Sequence, residues 1–241
     1  MSSLLLARWR NHLVKIRSRG KNLPPPANTN LKALEHLSGR QTARSLRYVI
    51  FDLETTGLSL THDRVVSAAA YRVVDGRIAL GDVFSSLVSP GRDIPSSAVK
   101  IHGILPSMVD DAPSFADVFG KFIAYLGTDI LVGYHVRFDL HFLNVYMRQT
   151  HGFPVQNLVL DVQSMCRRAC FPPHLRSYTG RLRGNQDLDT VAKHFGIEIP
   201  ERHTALGDAL ATAMIFQRIL IEIEKNGPGR LKNLIAVSRN L

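Results

Sequence analysis

Three strand-like segments follow one another between residues 46 and 88 with no helix between them, and few architectures accept that order. Arg47–Asp52 is β-rich (Tyr-Val-Ile-Phe) and breaks at Thr55-Thr56-Gly57. Arg64–Val74 and Arg77–Val88 continue the pattern, joined by Asp75-Gly76, a hairpin-turn dipeptide. After them the chain alternates. The spacing predicts a helix over Ser114–Leu126 with a serine cap, a strand at Asp129–Gly133, a helix over Phe138–Arg148 and a strand at Leu158–Leu160. Further helices are expected at Leu188–Phe195, closed by Gly196, and at Thr204–Lys225, where Leu206, Leu210, Ala213, Met214, Gln217 and Ile221 share one face. A meander followed by helix–strand alternation predicts an α/β fold, a mixed sheet of about five strands flanked by helices.

Charge divides the chain. Of its 30 Lys/Arg and 20 Asp/Glu, residues 1–44 hold nine basic residues against one acid, Glu35, which leaves 21 against 19 for the rest. The head is therefore basic and the body nearly neutral. Within the head, Leu5, Trp9, Leu13 and Ile16 recur at helical spacing among arginines. Leu23-Pro-Pro-Pro-Ala27 reads as a linker, and a short helix is expected at Asn30–Leu37. The expected division is a basic N-terminal helical extension with a Pro-rich linker over 1–45, a folded domain over 46–226 and a short tail over 227–241. Such a head suits nucleic acid, a partner or an anionic membrane surface, against the plain reading of a solvated tail. No apolar run approaches the roughly 18 residues that span a bilayer, so no transmembrane segment is expected. Leu4–Ala7 is too short for a secretory signal. The Arg-rich head has the character of a mitochondrial transit peptide, but nothing else in the chain supports that. Two cysteines cannot build a disulfide framework, and the chain reads as an ordinary reduced protein of the cytoplasm.

The chemistry lies in the acids. Asp52 and Glu54 sit two apart at the end of the first strand, so both carboxylates leave the same face. Two such groups repel each other unless a cation lies between them. Asp139 opens a helix just after the strand ending at Gly133. Asp208 lies early in a helix otherwise built there of Ala205, Leu206, Gly207, Ala209 and Leu210, and His203 precedes that helix. Four carboxylates and one histidine suit a pair of Mg²⁺ or Mn²⁺ ions clamping a phosphate about 3.5–4 Å apart, with the histidine taking a proton from water. Taken singly, each acid also fits a strand end or a helix cap.

Together these segments resemble the DEDDh exonucleases of the RNase H-like superfamily, the group that includes the proofreading epsilon subunit of bacterial DNA polymerase III. Asp52-Leu-Glu54-Thr55-Thr56-Gly57-Leu58 is similar to the family's first motif, Phe138-Asp139 to the second, and His203-Thr-Ala-Leu-Gly-Asp208-Ala to the third. Ile101-His102-Gly103-Ile104 resembles a segment lining the nucleotide pocket. The resemblance covers roughly residues 46–224. It implies an RNase H-like fold and metal-dependent 3′→5′ exonuclease activity on single-stranded or frayed 3′ ends, DNA favoured over RNA, in proofreading or repair. Asp52 would bridge both metals, Glu54 and Asp208 complete one site, Asp139 support the other, and His203 act as general base. Thr55, Leu58, His102 and Phe138 are the matching candidates for holding the terminal nucleotide. One departure stands out: the family often has His-Asn where this chain has Tyr134 and His135, which bears on substrate choice.

Three features stand outside those motifs. Cys166, Cys170 and His174 share a spacing of four without a fourth ligand and read as ordinary thiols. Arg167, Arg168, Arg176, Arg181 and Arg183 surround Tyr178, a composition that fits either contact with a single strand or a solvated loop. His141 and His151 match no motif and read as surface histidines. A polymerase partner stays open, as does a catalytically silent nucleic-acid-binding or scaffolding subunit. The long C-terminal segment of the epsilon subunit has no counterpart after Asn226.

Overall fold

The structure, a computed structural model, describes residues 3–170, 187–199, 201–225 and 227–238. Five strands form one sheet in the order β3-β2-β1-β4-β5. β1 (Arg47–Thr55) runs antiparallel to β2 (Val65–Val74), and β2 to β3 (Arg77–Leu87). The turn between β2 and β3 takes positive φ at both Asp75 (51°) and Gly76 (70°), which the tight hairpin requires and these residue types tolerate. On its other edge β1 pairs in parallel with β4 (Ile130–Gly133), and β4 with β5 (Val159–Asp161). The expected mixed sheet of five strands is what the chain forms.

Ten α-helices are described: α1 (Ser3–Arg17), α2 (Pro25–Leu31), α3 (Ser96–His102), α4 (Pro106–Val109), α5 (Phe115–Leu126), α6 (Arg137–His151), α7 (Val162–Met165), α8 (Leu188–His194), α9 (Ala205–Lys225) and α10 (Leu231–Val237). β1 is buried on both faces, which explains its near-continuous apolar run. Tyr48 and Ile50 pack with α9, where the rings of Tyr48 and Phe216 lie 4.8 Å apart at an edge-on angle. Val49, Phe51 and Leu53 face Phe119 and Phe122 of α5 and Leu143 and Met147 of α6. Ser114 caps α5 by accepting from the Asp117 N–H at 3.2 Å. α3, α4 and α10 were not expected from the sequence. α10 buries Leu231, Leu234 and Ile235 in the core.

The N-terminal segment departs from its expected form at the prolines. The proline run begins α2 instead of linking to a later helix: Pro24 is the N-cap, and prolines occupy the first turn, whose N–H groups have no partner within a helix. α1 forms as expected, with its apolar stripe facing outward. Leu4, Asn11 and Ser18 are buried against the body, whereas Leu5, Trp9 and Ile16 are exposed. Asn11 Nδ2 donates to Leu31 O and Gln156 Oε1, each at 3.1 Å, and Arg8 donates to Leu37 O at 2.6 Å.

Both helices sit at the end of the sheet where β1 and β4 begin. There Asn30 and Asn157 hydrogen-bond side chain to side chain, and Asn157 donates to Asp129 O at 2.8 Å. Asp129 itself is ion-paired to Arg72 and Arg47. Among the described residues no helix is long and apolar enough to cross a membrane. Cys166 is buried in the core; His174, Arg176, Tyr178, Arg181 and Arg183 lie outside the described residues.

Candidate active site

The alternation of β1 continues past its apolar half. Asp52 and Glu54 therefore lie on the Tyr48–Ile50 face, beneath α9. Asp208 comes from the first turn of α9, and oxygens of Asp52, Glu54 and Asp208 all lie within 4.8 Å of one another. Gly207 makes this approach possible, because a Cβ there would overlap the Glu201 carbonyl oxygen. The segment before α9 can thus fold back on the helix. His203 turns it with φ 63°, and its N–H donates to Asp208 Oδ1 at 3.3 Å.

Asp139 arrives from the opposite face, in the first turn of α6, and its Oδ1 accepts from the Leu53 N–H at 3.2 Å. The turn from β4 into α6 is tight: a Cβ on Gly133 would lie 2.7 Å from Val136 Cγ2. His135, in that turn, has φ 54° and contacts Gln163 Nε2 at 2.7 Å. Asp161 closes the turn from below, accepting from the Val136 N–H at 3.1 Å.

Burial is the main force acting on these acids, and mutual repulsion adds to it. It raises Glu54 to about 8, helped by Asp208 and Asp139, and raises Asp139 to about 8 against its backbone donors. Asp52 is pushed well above the ordinary carboxylate range by burial and then by Asp139, Glu54 and Asp208. Asp208 is also raised by burial, although Arg202 opposes it. Arg202, which the sequence reading passed over, pairs with Asp208 and with Asp189 of α8 at 2.7 Å. It also contacts His203 Nδ1 at 3.3 Å. A donor set made only of oxygens, packed tightly enough to resist ionisation, fits a hard divalent cation.

These groups floor an open cleft of about 1090 Å³. Leu58, Phe138, His203, Tyr134 and His135 line it with the acids. Thr55 and His102 do not; both are buried. Thr55 Oγ1 donates to Gly57 O at 2.6 Å, and His102 lies against the Thr55 backbone, its pKa lowered by burial. His141 proves more than a surface histidine. It lines the cleft, and its Nε2 lies 2.9 Å from Leu60 O, pinning the loop after β1 across the mouth. No local signal marks His141 or Arg202, since each works through a contact distant in sequence or fold.

A five-stranded mixed sheet whose central strand ends in gathered carboxylates is the RNase H-like fold. The exonuclease family's profile matches residues 49–216. The chain is 40% identical over 185 residues to a DNA polymerase III subunit epsilon-like protein of Rhodobacter capsulatus, covering 76% of this chain and 25% of that one. It is 35% identical over 176 residues to the DNA polymerase III subunit epsilon of Aquifex aeolicus, covering 73% and 81%. Against the PolC-type DNA polymerase III of Bacillus subtilis it is 34% identical, but spans only 12% of that protein. Two solved structures share the fold. Exonuclease X in complex with 5′-overhanging duplex DNA has TM-score 0.59 and 23% identity, covering 80% of this chain and 99% of that one. Escherichia coli exonuclease I with a dT13 oligonucleotide has TM-score 0.61 and 21% identity, covering 75% and 42%. The chain belongs to the exonuclease family, as a DEDDh-type member related to the epsilon and PolC proofreading domains.

Proposed function

We propose that the protein is a 3′→5′ exonuclease that releases nucleotides from single-stranded or frayed DNA 3′ ends in the cytoplasm, in proofreading or repair. The observation that carries this reading is the convergence of Asp52, Glu54 and Asp208 within 4.8 Å at the floor of an open cleft. Asp52, Glu54 and Asp208 would hold one Mg²⁺ or Mn²⁺, and Asp139 with Asp52 would hold a second. The ions, when bound, supply Lewis acidity that eases deprotonation of the attacking water and offsets charge on the leaving 3′ oxygen. His203 takes the proton from that water. Phe138 and Leu58 flank the terminal nucleotide in the cleft, while Thr55 and His102 support the loop on which Leu58 sits. DNA is favoured because the relatives are DNA polymerase subunits and the neighbouring structures are DNA complexes.

The test uses 5′-labelled DNA and RNA oligomers of one sequence, with a 3′-hydroxyl or a 3′-phosphate, in Mg²⁺ or in EDTA. Shortening from the 3′-hydroxyl end in Mg²⁺ is expected, with the 3′-phosphate resisting and DNA cut faster. Cutting that persists in excess EDTA would sink the metal reading. His203→Ala should slow turnover roughly 10²–10⁴-fold, the usual worth of a positioned base, while metal binding survives.

A further inference from the structure

The outward face of α1 has no counterpart in the nuclease reading. Residues advance about 100° each along a helix, so Trp9 and Ile16, seven apart, lie on one line. Leu5, Leu6 and the half-buried Leu13 widen that line into a stripe. Trp9 is 56% and Ile16 45% exposed. Arg10 and Arg17, also seven apart and exposed, run along one flank of the stripe. The helix is held in this orientation from behind: Asn11 bonds Leu31 O and Gln156, Arg8 bonds the Leu37 carbonyl, and Lys15 pairs with Glu35 at 2.5 Å. The docked side mixes Leu4, Ala7 and Val14, which pack on the core, with Asn11 and Ser18, while the outward side carries the larger apolar groups Trp9, Ile16 and Leu6.

Charge indicates what covers it. Beside Leu5 a second cleft, about 750 Å³, is lined by Arg8, Arg40, Arg230 and Lys232 and by no acid. Its setting also matters. α1 and this cleft lie where β1 and β4 begin, whereas the carboxylates lie where β1 ends. A single-stranded nucleic acid would find phosphate partners here and could stack a base on Trp9, but it offers no apolar phase to cover Leu6 and Ile16. A bilayer rich in anionic headgroups satisfies both. We infer that α1, with the basic cleft next to it, seats the protein on an anionic lipid surface and leaves the catalytic cleft facing away.

Trp9 is the chain's single tryptophan, so its emission reports directly. Full-length protein is mixed with phosphatidylcholine vesicles, with or without phosphatidylglycerol. The expected result is co-sedimentation and a blue shift only with the anionic vesicles. Trp9→Glu with Ile16→Glu should weaken co-sedimentation on the order of a hundredfold, as two lost apolar anchors imply. Cutting of a dissolved oligomer should be unchanged, which shows that the variant is folded. Arg10→Glu with Arg17→Glu should weaken binding and flatten its salt dependence. Failure of the wild type to bind anionic vesicles overturns the proposal, as does undiminished binding by the Trp9/Ile16 variant. A variant that loses affinity for single-stranded DNA instead would make this a nucleic-acid face. One that turns a dimer into a monomer in light scattering would make it a self-interface. Either result also overturns the proposal.

Discussion

Asp129 and Asp139 bracket the same strand, β4, and both are buried, at 7% and 4% exposure. Their surroundings differ. Arg72 and Arg47 close on Asp129, and Arg72 spends its other N–H groups on Asp82 at 2.7 Å and on the Tyr125 carbonyl at 2.9 Å. Asp139 has the Leu53 N–H, with three more carboxylates close by. One end of the sheet is neutralised by the protein's own side chains. At the other, among the described residues, the four acids have one ion pair, Arg202 with Asp208, and the remaining charge calls for a cation from outside. A buried acid supplied with arginines is part of the scaffold; one supplied with more acids is a site.

The comparison breaks most decisively at Asp52. Asp52→Asn should reduce hydrolysis to background while the melting temperature in EDTA holds or rises, because a repelled carboxylate is removed. A melting temperature that collapses with activity would make Asp52 a scaffold residue after all. Asp129→Ala should do the opposite. Arg72 keeps Asp82 and the Tyr125 carbonyl, so losing its charged hydrogen bond to Asp129 costs about 1.5–3 kcal/mol, and melting should drop by roughly 5 °C, with the cutting rate of folded protein unchanged at 25 °C.

pH sharpens the contrast. Glu54 and Asp139 hold protons in the folded state up to about 8 that the unfolded chain releases near its ordinary carboxylate values. Their contribution to stability is full below those ordinary values and is lost as pH rises through 8. In EDTA, melting should therefore fall between pH 5 and pH 8, and Mg²⁺ should flatten that slope. A slope indifferent to Mg²⁺ would place the titration elsewhere. The smallest effect is expected at the cleft mouth. His141→Ala frees Leu60 O, and a single exposed hydrogen bond is worth about twofold to fivefold in KM, with kcat little changed. A fall in kcat alone would show that the loop acts on chemistry.

Most of the sheet was legible because its strands are runs of β-formers bounded by turn residues, and a period of two then sorts their side chains between the faces. Tyr48, Ile50, Asp52 and Glu54 alternate cleanly with Val49, Phe51 and Leu53. The candidate acids were legible because each sits at the end of a regular element. What escaped depends on the rest of the fold. Amphipathicity located α1 but not its facing, which is set by Asn11 reaching Gln156. The proline run was legible as a stop to α1 and not as the start of α2. Arg202 gains its place from Asp189, thirteen residues away, and His141 from Leu60, eighty-one residues away.

That same docking contact has a consequence for the order of synthesis. Asn11 and its partner Gln156 are 145 residues apart, and Asn30 and Asn157 are 127 apart. At ~5–20 residues per second, α1 emerges from the ribosome on the order of ten seconds before the segment leading into β5 that will hold it. During that interval only the nearby Leu31, Glu35 and Leu37 are at hand to hold it, and a fifteen-residue helix alone is marginal in water. α1 is thus made well before the residues that fix it, and it takes its final place only when the approach to β5 arrives.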